Sequence, residues 1–540
     1  MLNYIKFNYF YQLGGKKKLW ETLEHNGVLF PPEYIKVDIP LIYDNKEIIL
    51  NKEAEEAAFF YAKYLETEYI KISKFNKNFW KDLKKLINPQ FNITDFDKCD
   101  FSLMKKYLDE QKEKRLNISK KTKEQNKIKR KENEKKYTIV KVNGKEQLVG
   151  NFRVEPPGLF LGRGCHPKTG KIKKRINPKD ITINIGKEAE IPDTGFKNTN
   201  WGSIIHNKNS IWLASWKDNI TGKTKYVWLS DTSDFKSESD IKKFDLAKKL
   251  RKKIKEIRNV NNEKLLSEDI KIKQLATVLY LIDNFAIRVG NEKSKNQADT
   301  VGVSSLRVEH IDFLDNNKIK LDFLGKDSVR YIKKTTIDKI IYDNLKLFCQ
   351  NKNKKNQIFD KINTTDINQY LQTFMKNLTS KVFRTMNASY LFQKELNKLS
   401  KNIGNCDENC KLNILLDGIN KANAKVALLC NHQKNISKNF KDQIKKIKIK
   451  IKESIEKRKI TKNKLRKKKL KIKIIKLKSK LHTKLELKNL SLGTSKTNYI
   501  DPRITISFMK KFNIDINKLF TKNLQDKFTW AMKIEQDYQF

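Results

Sequence analysis

Gly493-Thr494-Ser495-Lys496-Thr497-Asn498-Tyr499-Ile500-Asp501-Pro502-Arg503 is the stretch around which the chain is organised. It reads as a polar loop holding one tyrosine, opened by a glycine and closed by a proline. Upstream, between Gly418 and Gly493, no glycine or proline interrupts the sequence, so that interval predicts a pair of long helices. Residues 434–488 carry 24 Lys+Arg against 4 Asp+Glu, a net of +20. The apolar residues from Ile444 to Ile451 alternate with lysine at a strand-like period. An antiparallel helical hairpin nevertheless accounts better for the missing breakers. Tyr499 reads as a nucleophile, set against the plainer reading of a packing tyrosine among the eighteen in the chain.

Working back toward the N-terminus, the hairpin follows a helical region beginning near residue 240. Its clearest segment runs from Ile270 to Val289, with Leu275, Leu279, Ile282 and Ala286 on one stripe, Arg288 in the last turn and Gly290-Asn291 closing it. One strand pair interrupts the helices: Ile319 to Phe323 and Val329 to Ile332 flank Gly325-Lys326-Asp327-Ser328, which places Lys326 at a hairpin tip. Before residue 240 the chain is strand-rich. Thr138 to Val142 and Gln147 to Val154 flank an Asn143-Gly144 turn, and Ile211 to Trp216 and Lys225 to Leu229 flank another at Gly222. Residues 113–136 are almost all charged or amide side chains, as in a solvated helix or connector. Glu53 to Leu65 reads as an amphipathic core helix.

At 540 residues the chain is long enough for several domains with their own cores. Lys+Arg of 115 against Asp+Glu of 62 gives +53, and a polyanion is the natural partner for such a charge. Lys, Asn and Ile are in excess even in loops, so part of that charge reflects composition alone. Six irregularly spaced cysteines fit a reducing compartment. Cys406 and Cys410 lack partners for a zinc site and read as an ordinary loop pair. No run approaches the roughly 18 apolar residues of a membrane span, and the start lacks a signal peptide's pattern. A soluble, intracellular protein without membrane contact is expected.

Attack on a phosphodiester by an oxygen nucleophile builds negative charge on the equatorial oxygens, and fixed cations aimed there lower the barrier. Arg288 and Arg384 suit that role, each against the plainer reading of an ion pair. His432, ending the apolar run Val426 to Cys430, could donate to a phosphate oxygen or simply cap its helix. Gly222-Lys223-Thr224 resembles the end of a nucleotide-binding loop, but position 217 is lysine rather than glycine. Gly164 and Gly170 fail the same test. ATP hydrolysis is therefore not expected. Asp95 and Asp97 have no further acidic cluster near them, so catalysis without metal or other cofactor is expected.

These stretches resemble the signature blocks of the eukaryotic type IB DNA topoisomerases. The likeness runs from Leu23-Glu24-His25 through Glu155-Pro156-Pro157-Gly158-Leu159-Phe160, Arg288-Val289-Gly290-Asn291-Glu292-Lys293, Ala298-Asp299-Thr300-Val301-Gly302 and Ser305-Leu306-Arg307-Val308-Glu309-His310. It continues through Asp322-Phe323-Leu324-Gly325-Lys326-Asp327-Ser328, Lys381-Val382-Phe383-Arg384-Thr385, Cys430-Asn431-His432-Gln433 and the Tyr499 block. The resemblance implies an isomerase with Arg288, Lys326, Arg384, His432 and Tyr499 as catalytic residues. Tyr499 would form a 3′-phosphotyrosyl bond, the freed 5′ end would rotate, and religation would relax supercoils without ATP. Lys326 would protonate the leaving oxygen, while Arg163, His166, Asp327 and Asn498 would contact double-stranded DNA. Three of these, Arg163, Asp327 and Asn498, also match positions that contact camptothecin in the family.

The implied architecture is a multidomain α+β clamp around DNA, monomeric and nuclear. Its parts are an N-terminal segment at 1–31, a cap lobe at 32–118, a strand-rich core lobe at 119–232 and a mostly helical catalytic core lobe at 233–433. A basic coiled-coil linker at 434–488 and a small helical C-terminal domain at 489–540 complete it. The sequence departs from the family pattern at Leu161, where an arginine is usual, at Cys165 in place of asparagine, and at Met386 in place of tyrosine. The family's long charged N-terminal tail, which carries nuclear targeting, is not matched. Two alternatives remain. A tyrosine recombinase shares the chemistry, but 67 positions and a basic hairpin separate His432 from Tyr499. A non-catalytic architectural DNA-binding protein would need no Tyr499.

Overall fold

Mixed α/β structure, with helices in the majority, runs through the computed structural model, which describes residues 18–291, 293–294, 296–401, 408–434, 436 and 439–540, with backbone alone at 408–410. The side chains of Cys406 and Cys410 therefore lie outside the described residues. Two units divide the chain: residues up to Lys236 with Lys293–Asp299, and Ser237–Glu292 with Thr300–Phe540. No helix among the described residues is long and apolar enough to cross a membrane.

The first unit has two cores. One lies on a three-stranded antiparallel sheet, Leu23–His25, Ile139–Val142 and Lys145–Leu148, and a four-stranded sheet ordered Ser203–Ile205, Ile181–Asn184, Ala214–Lys217, Thr224–Val227. The hairpin at Asn143-Gly144 forms as its residues require: both have positive φ, 50° and 74°, the geometry that matches strand twist in a two-residue turn. Trp20, Val140, Ile183 and Trp216 fill this core. The other core is aromatic, with Tyr61 of helix Lys52–Ala62 stacked at 4.5 Å on Phe79 of helix Ser73–Leu83. The charged stretch expected as one solvated element is two helices, Ser102–Asn117 and Lys120–Lys135, and the second buries no residue.

The second unit is built on helices Asp234–Lys264, Ile270–Phe285 and Ser380–Lys401 around Leu250, Leu279, Ile282 and Phe383. The apolar stripe of Ile270 onward does not reach Val289. The helix stops at Phe285 because Ala286 turns left-handed, φ 50°, and Arg288 follows in an extended segment whose carbonyl accepts from Val303 N at 2.8 Å. Gly290, at φ 86°, lies so close to Gly302 that a Cβ there would come within 2.5 Å of its backbone. Helical periodicity gives no sign of that approach.

Lys318–Leu324 and Arg330–Thr336 pair antiparallel as a hairpin, and Ile311–Leu314 adds a third strand that the sequence reading did not include. Helices Phe440–Ile460 and Lys464–Glu486 pack on each other across a three-residue connection. Within the lysine-alternating run, Ile447 and Ile451 are buried one helical turn apart, while Ile449 remains 45% exposed. Covering one face of a helix needs only every third or fourth residue, so the strand-like alternation has no structural counterpart.

Candidate active site

The tip of the Lys326 hairpin is a single tight turn, Lys326–Ser328, with Asp327 and Ser328 left-handed at φ 66° and 57°. Left-handed geometry costs a non-glycine residue roughly 1–2 kcal/mol. Bonds from Gly325 N to Val329 O at 2.9 Å and from Ser328 N to Gly325 O at 3.0 Å hold it. The turn places Lys326 on the wall of a cleft that also has Ala286, Arg288, Tyr331, Arg384 and Cys430 on it.

Arg384 projects from helix Ser380–Lys401 and is 5% exposed. Its two terminal nitrogens donate to main-chain carbonyls, one to Ala286 O and the other to Cys430 O at 3.1 Å. Nε is buried without a partner. Carbonyls orient the guanidinium but leave its charge whole, and among the described residues no carboxylate pairs with Arg288, Lys326 or Arg384. An uncompensated buried cation is costly and attracts an anion strongly.

Tyr499 lies under that cation, its ring 5.1 Å from the Arg384 guanidinium carbon and 5.2 Å from the His432 ring. The expected loop is half helix: Leu492–Asn498 is helical and Tyr499 ends it, with the Tyr499 and Ile500 amides both 3.0 Å from Ser495 O. The glycine expected to open a loop, Gly493, lies inside this turn, with nothing within 4 Å of the position its Cβ would take. Burial pushes the Tyr499 hydroxyl up. The Arg384 and Arg288 guanidiniums, the latter hydrogen-bonded to it, outweigh burial and hold it below the usual tyrosine value. Beside these two guanidiniums the phenol ionises more readily than a free tyrosine.

His432 follows helix Glu408–Leu429, past the left-handed Asn431 at φ 52°. Its amide donates to Ala427 O at 2.8 Å and its carbonyl accepts from Ser491 N at 2.8 Å. Burial, then the charges of Arg384 and Arg288, push it down to about 3, so the ring is neutral at physiological pH. Nδ1 lies 2.7 Å from Ser495 Oγ, and Nε2 is buried with no partner.

Other residues hold the tyrosine in register. Ser389, on the same helix as Arg384, donates its hydroxyl to Tyr499 O and accepts from Asp501 N, both at 3.0 Å. Asp501 is fully buried, caps helix Pro502–Lys511, and takes the Arg503 guanidinium and the Tyr538 hydroxyl on its carboxylate. Breaking a buried pair of this kind costs roughly 3–5 kcal/mol. Lys381, three positions before Arg384, is pushed down to about 8 by burial and Lys243, against Asp240, with Lys326 and Arg288 adding to the push. Sequence reading assigned no role to Ser389, Ser495 or Lys381. The i, i+3 spacing of Lys381 and Arg384 was the one available signal.

The expected DNA contacts divide between the units. Asp327 is at the hairpin tip, and Asn498 bonds its own helix through Nδ2 to Thr494 O at 3.2 Å. Arg163 and His166 belong to the first unit, where His166 lies edge-on to Phe160 at 4.8 Å and its Nδ1 accepts from Lys168 N. Nearby, Leu161 packs against the aromatic core and Cys165 is exposed. Met386 is buried in the core of the second unit.

Three family profiles match in chain order. Residues 18–229 match the DNA binding fragment of eukaryotic DNA topoisomerase I, 232–466 its catalytic core, and 471–540 the C-terminal topoisomerase domain. DNA topoisomerase 1 of Homo sapiens is 39% identical over 561 residues, covering 96% of this chain and 72% of the human protein. That of Caenorhabditis elegans is 41% identical, with 96% and 68% covered. Against DNA topoisomerase 1 beta of Arabidopsis thaliana the identity is 38% over 98% of the chain, which spans 60% of the plant protein. By these matches, spread over nearly its whole length, the chain belongs to the eukaryotic DNA topoisomerase I family.

Proposed function

We propose that the protein relaxes supercoiled duplex DNA by transient breakage of one strand, as a type IB topoisomerase. The observation that carries this reading is Tyr499, whose hydroxyl is held down by two guanidiniums beside two buried nitrogens, Arg384 Nε and His432 Nε2, that lack partners. A phosphate oxygen supplies the acceptor both nitrogens lack. Tyr499 Oη attacks phosphorus and its proton passes to solvent water; the P–O5′ bond breaks, and Lys326 protonates the departing 5′-oxygen. Arg288, Arg384 and His432 stabilise the equatorial oxygens. The phosphotyrosine conserves the bond energy, so the 5′-hydroxyl religates by the reverse path without ATP.

On this reading Arg163, His166, Asp327 and Asn498 contact DNA, the lobes at 32–433 form a clamp around it, the helix pair at 434–488 follows the duplex, and a monomer works in the nucleus. The experiment is relaxation of supercoiled plasmid in EDTA without ATP, with denaturation to trap the protein on a 3′ end. Relaxation with a 3′-linked Tyr499 is expected. A 5′ linkage, or no adduct and no relaxation, overturns the proposal.

A further inference from the structure

Ser495 stands between the histidine and the tyrosine, and its two polar groups face different ways. The side chain, fully buried, has Oγ 2.7 Å from His432 Nδ1; the carbonyl carries the amides of Tyr499 and Ile500. A neutral imidazole has one N–H, and the partner of one nitrogen decides what the other can do. If Nδ1 held the proton, Nε2 would present a lone pair to the cleft. A phosphate oxygen, which only accepts, would then meet another acceptor. If Ser495 Oγ–H donates to Nδ1, the proton sits on Nε2 and points at the oxygen.

We propose that Ser495 is a positioning residue whose hydroxyl holds His432 in the Nε2–H form, making it a donor to the reacting phosphate rather than a base for the tyrosine. The inference rests on the function proposed above. One observation favours this direction of the bond, and a second makes the direction matter. Among the described residues no protein group bonds the buried Nε2, so the partner it meets in the complex is the phosphate oxygen, which accepts and cannot donate. The groups facing the ring are the Arg384 and Arg288 cations and the Tyr499 ring. Burial and then these cations keep the ring neutral, so it holds one proton and the choice of nitrogen matters.

The test uses full-length protein with 15N-labelled histidine, the His432 signals being assigned by their loss in His432→Gln. Long-range 1H–15N correlations at pH 7 should report the Nε2–H tautomer in the free wild-type protein. Nδ1–H there overturns the proposal without reference to any activity. Ser495→Ala should shift the population toward Nδ1–H and slow single-turnover DNA cleavage roughly tenfold, about the worth of one neutral hydrogen bond. In a His432→Gln background the same substitution should cost little further. An equal cost in both backgrounds would mean that Ser495 merely supports its helix, and the proposal fails. If wild type forms no adduct, the functional reading fails separately, while the tautomer result still stands or falls alone.

Discussion

The cleft of the second unit and the helix pair at 440–486 both gather cations, but under opposite conditions. Helix Lys464–Glu486 buries one residue, Ile474, and its lysines lie in water, where salt screens them beyond about 8–10 Å. Arg384 is 5% exposed, fixed by two carbonyls, and close enough to depress both His432 and Tyr499. Exposed charge of one sign can attract a polyanion, with a strength that salt sets. Buried charge can alter the protonation of its neighbours and stabilise a transition state. A net of +20 thus carries less chemical information than two cations around one phenol.

The strongest way to break this contrast is at the phenol. Tyr499→Phe removes one oxygen and should abolish the covalent adduct in a denaturing gel while leaving duplex binding unchanged by gel shift. An adduct in that variant would place the chemistry elsewhere.

Next come the cleft cations. Lys326→Ala should slow cleavage of ordinary DNA roughly 10²–10⁴-fold, the usual worth of a general acid. Sulfur at the bridging 5′ position should largely erase that deficit, because a thiol with pKa about 8.5 leaves without a proton. Arg384→Ala should lose roughly 10²–10³-fold and gain nothing from sulfur, since the equatorial oxygens need stabilising whichever atom departs. Single-turnover rates on the two substrates separate the roles, and equal rescue of both variants would merge them.

A smaller effect concerns His432. Its folded value near 3 is below the ordinary 6.5, so the unfolded chain binds the extra proton. The associated stability is fully present above about 6.5 and is lost as pH falls toward 3. Between pH 7 and pH 5 the loss amounts to roughly 2 kcal/mol. Denaturant titrations at the two pH values should show that part of the acid sensitivity missing in His432→Gln.

The smallest change in chemistry should follow deletion of the helix pair. Salt-resistant DNA binding should weaken, with the slope of log affinity against log salt falling by about 0.9 per lost phosphate contact. Cleavage of a suicide substrate at low salt should persist. Loss of cleavage there would show that the exposed charges belong to the chemistry after all.

Much of this was readable from residue order. The missing breakers between Gly418 and Gly493 foretold the two long helices, and Gly325-Lys326-Asp327-Ser328 marked a hairpin tip because short polar residues and glycine tolerate tight turns. The Asn143-Gly144 turn followed for the same reason. Such features depend on neighbours along the chain, whose geometry is set by local sterics. Long-range contacts decided the rest. The helix after Ile270 ended at Phe285, where Ala286 offers its carbonyl to Arg384, 98 residues away. Ser389 meets Tyr499 across 110 residues, and His432 meets Ser495 across 63. No periodicity announces a hydroxyl that will bond such a distant partner. Those bonds form because burial makes an unpaired polar group expensive, and burial belongs to the assembled core rather than to any segment of it.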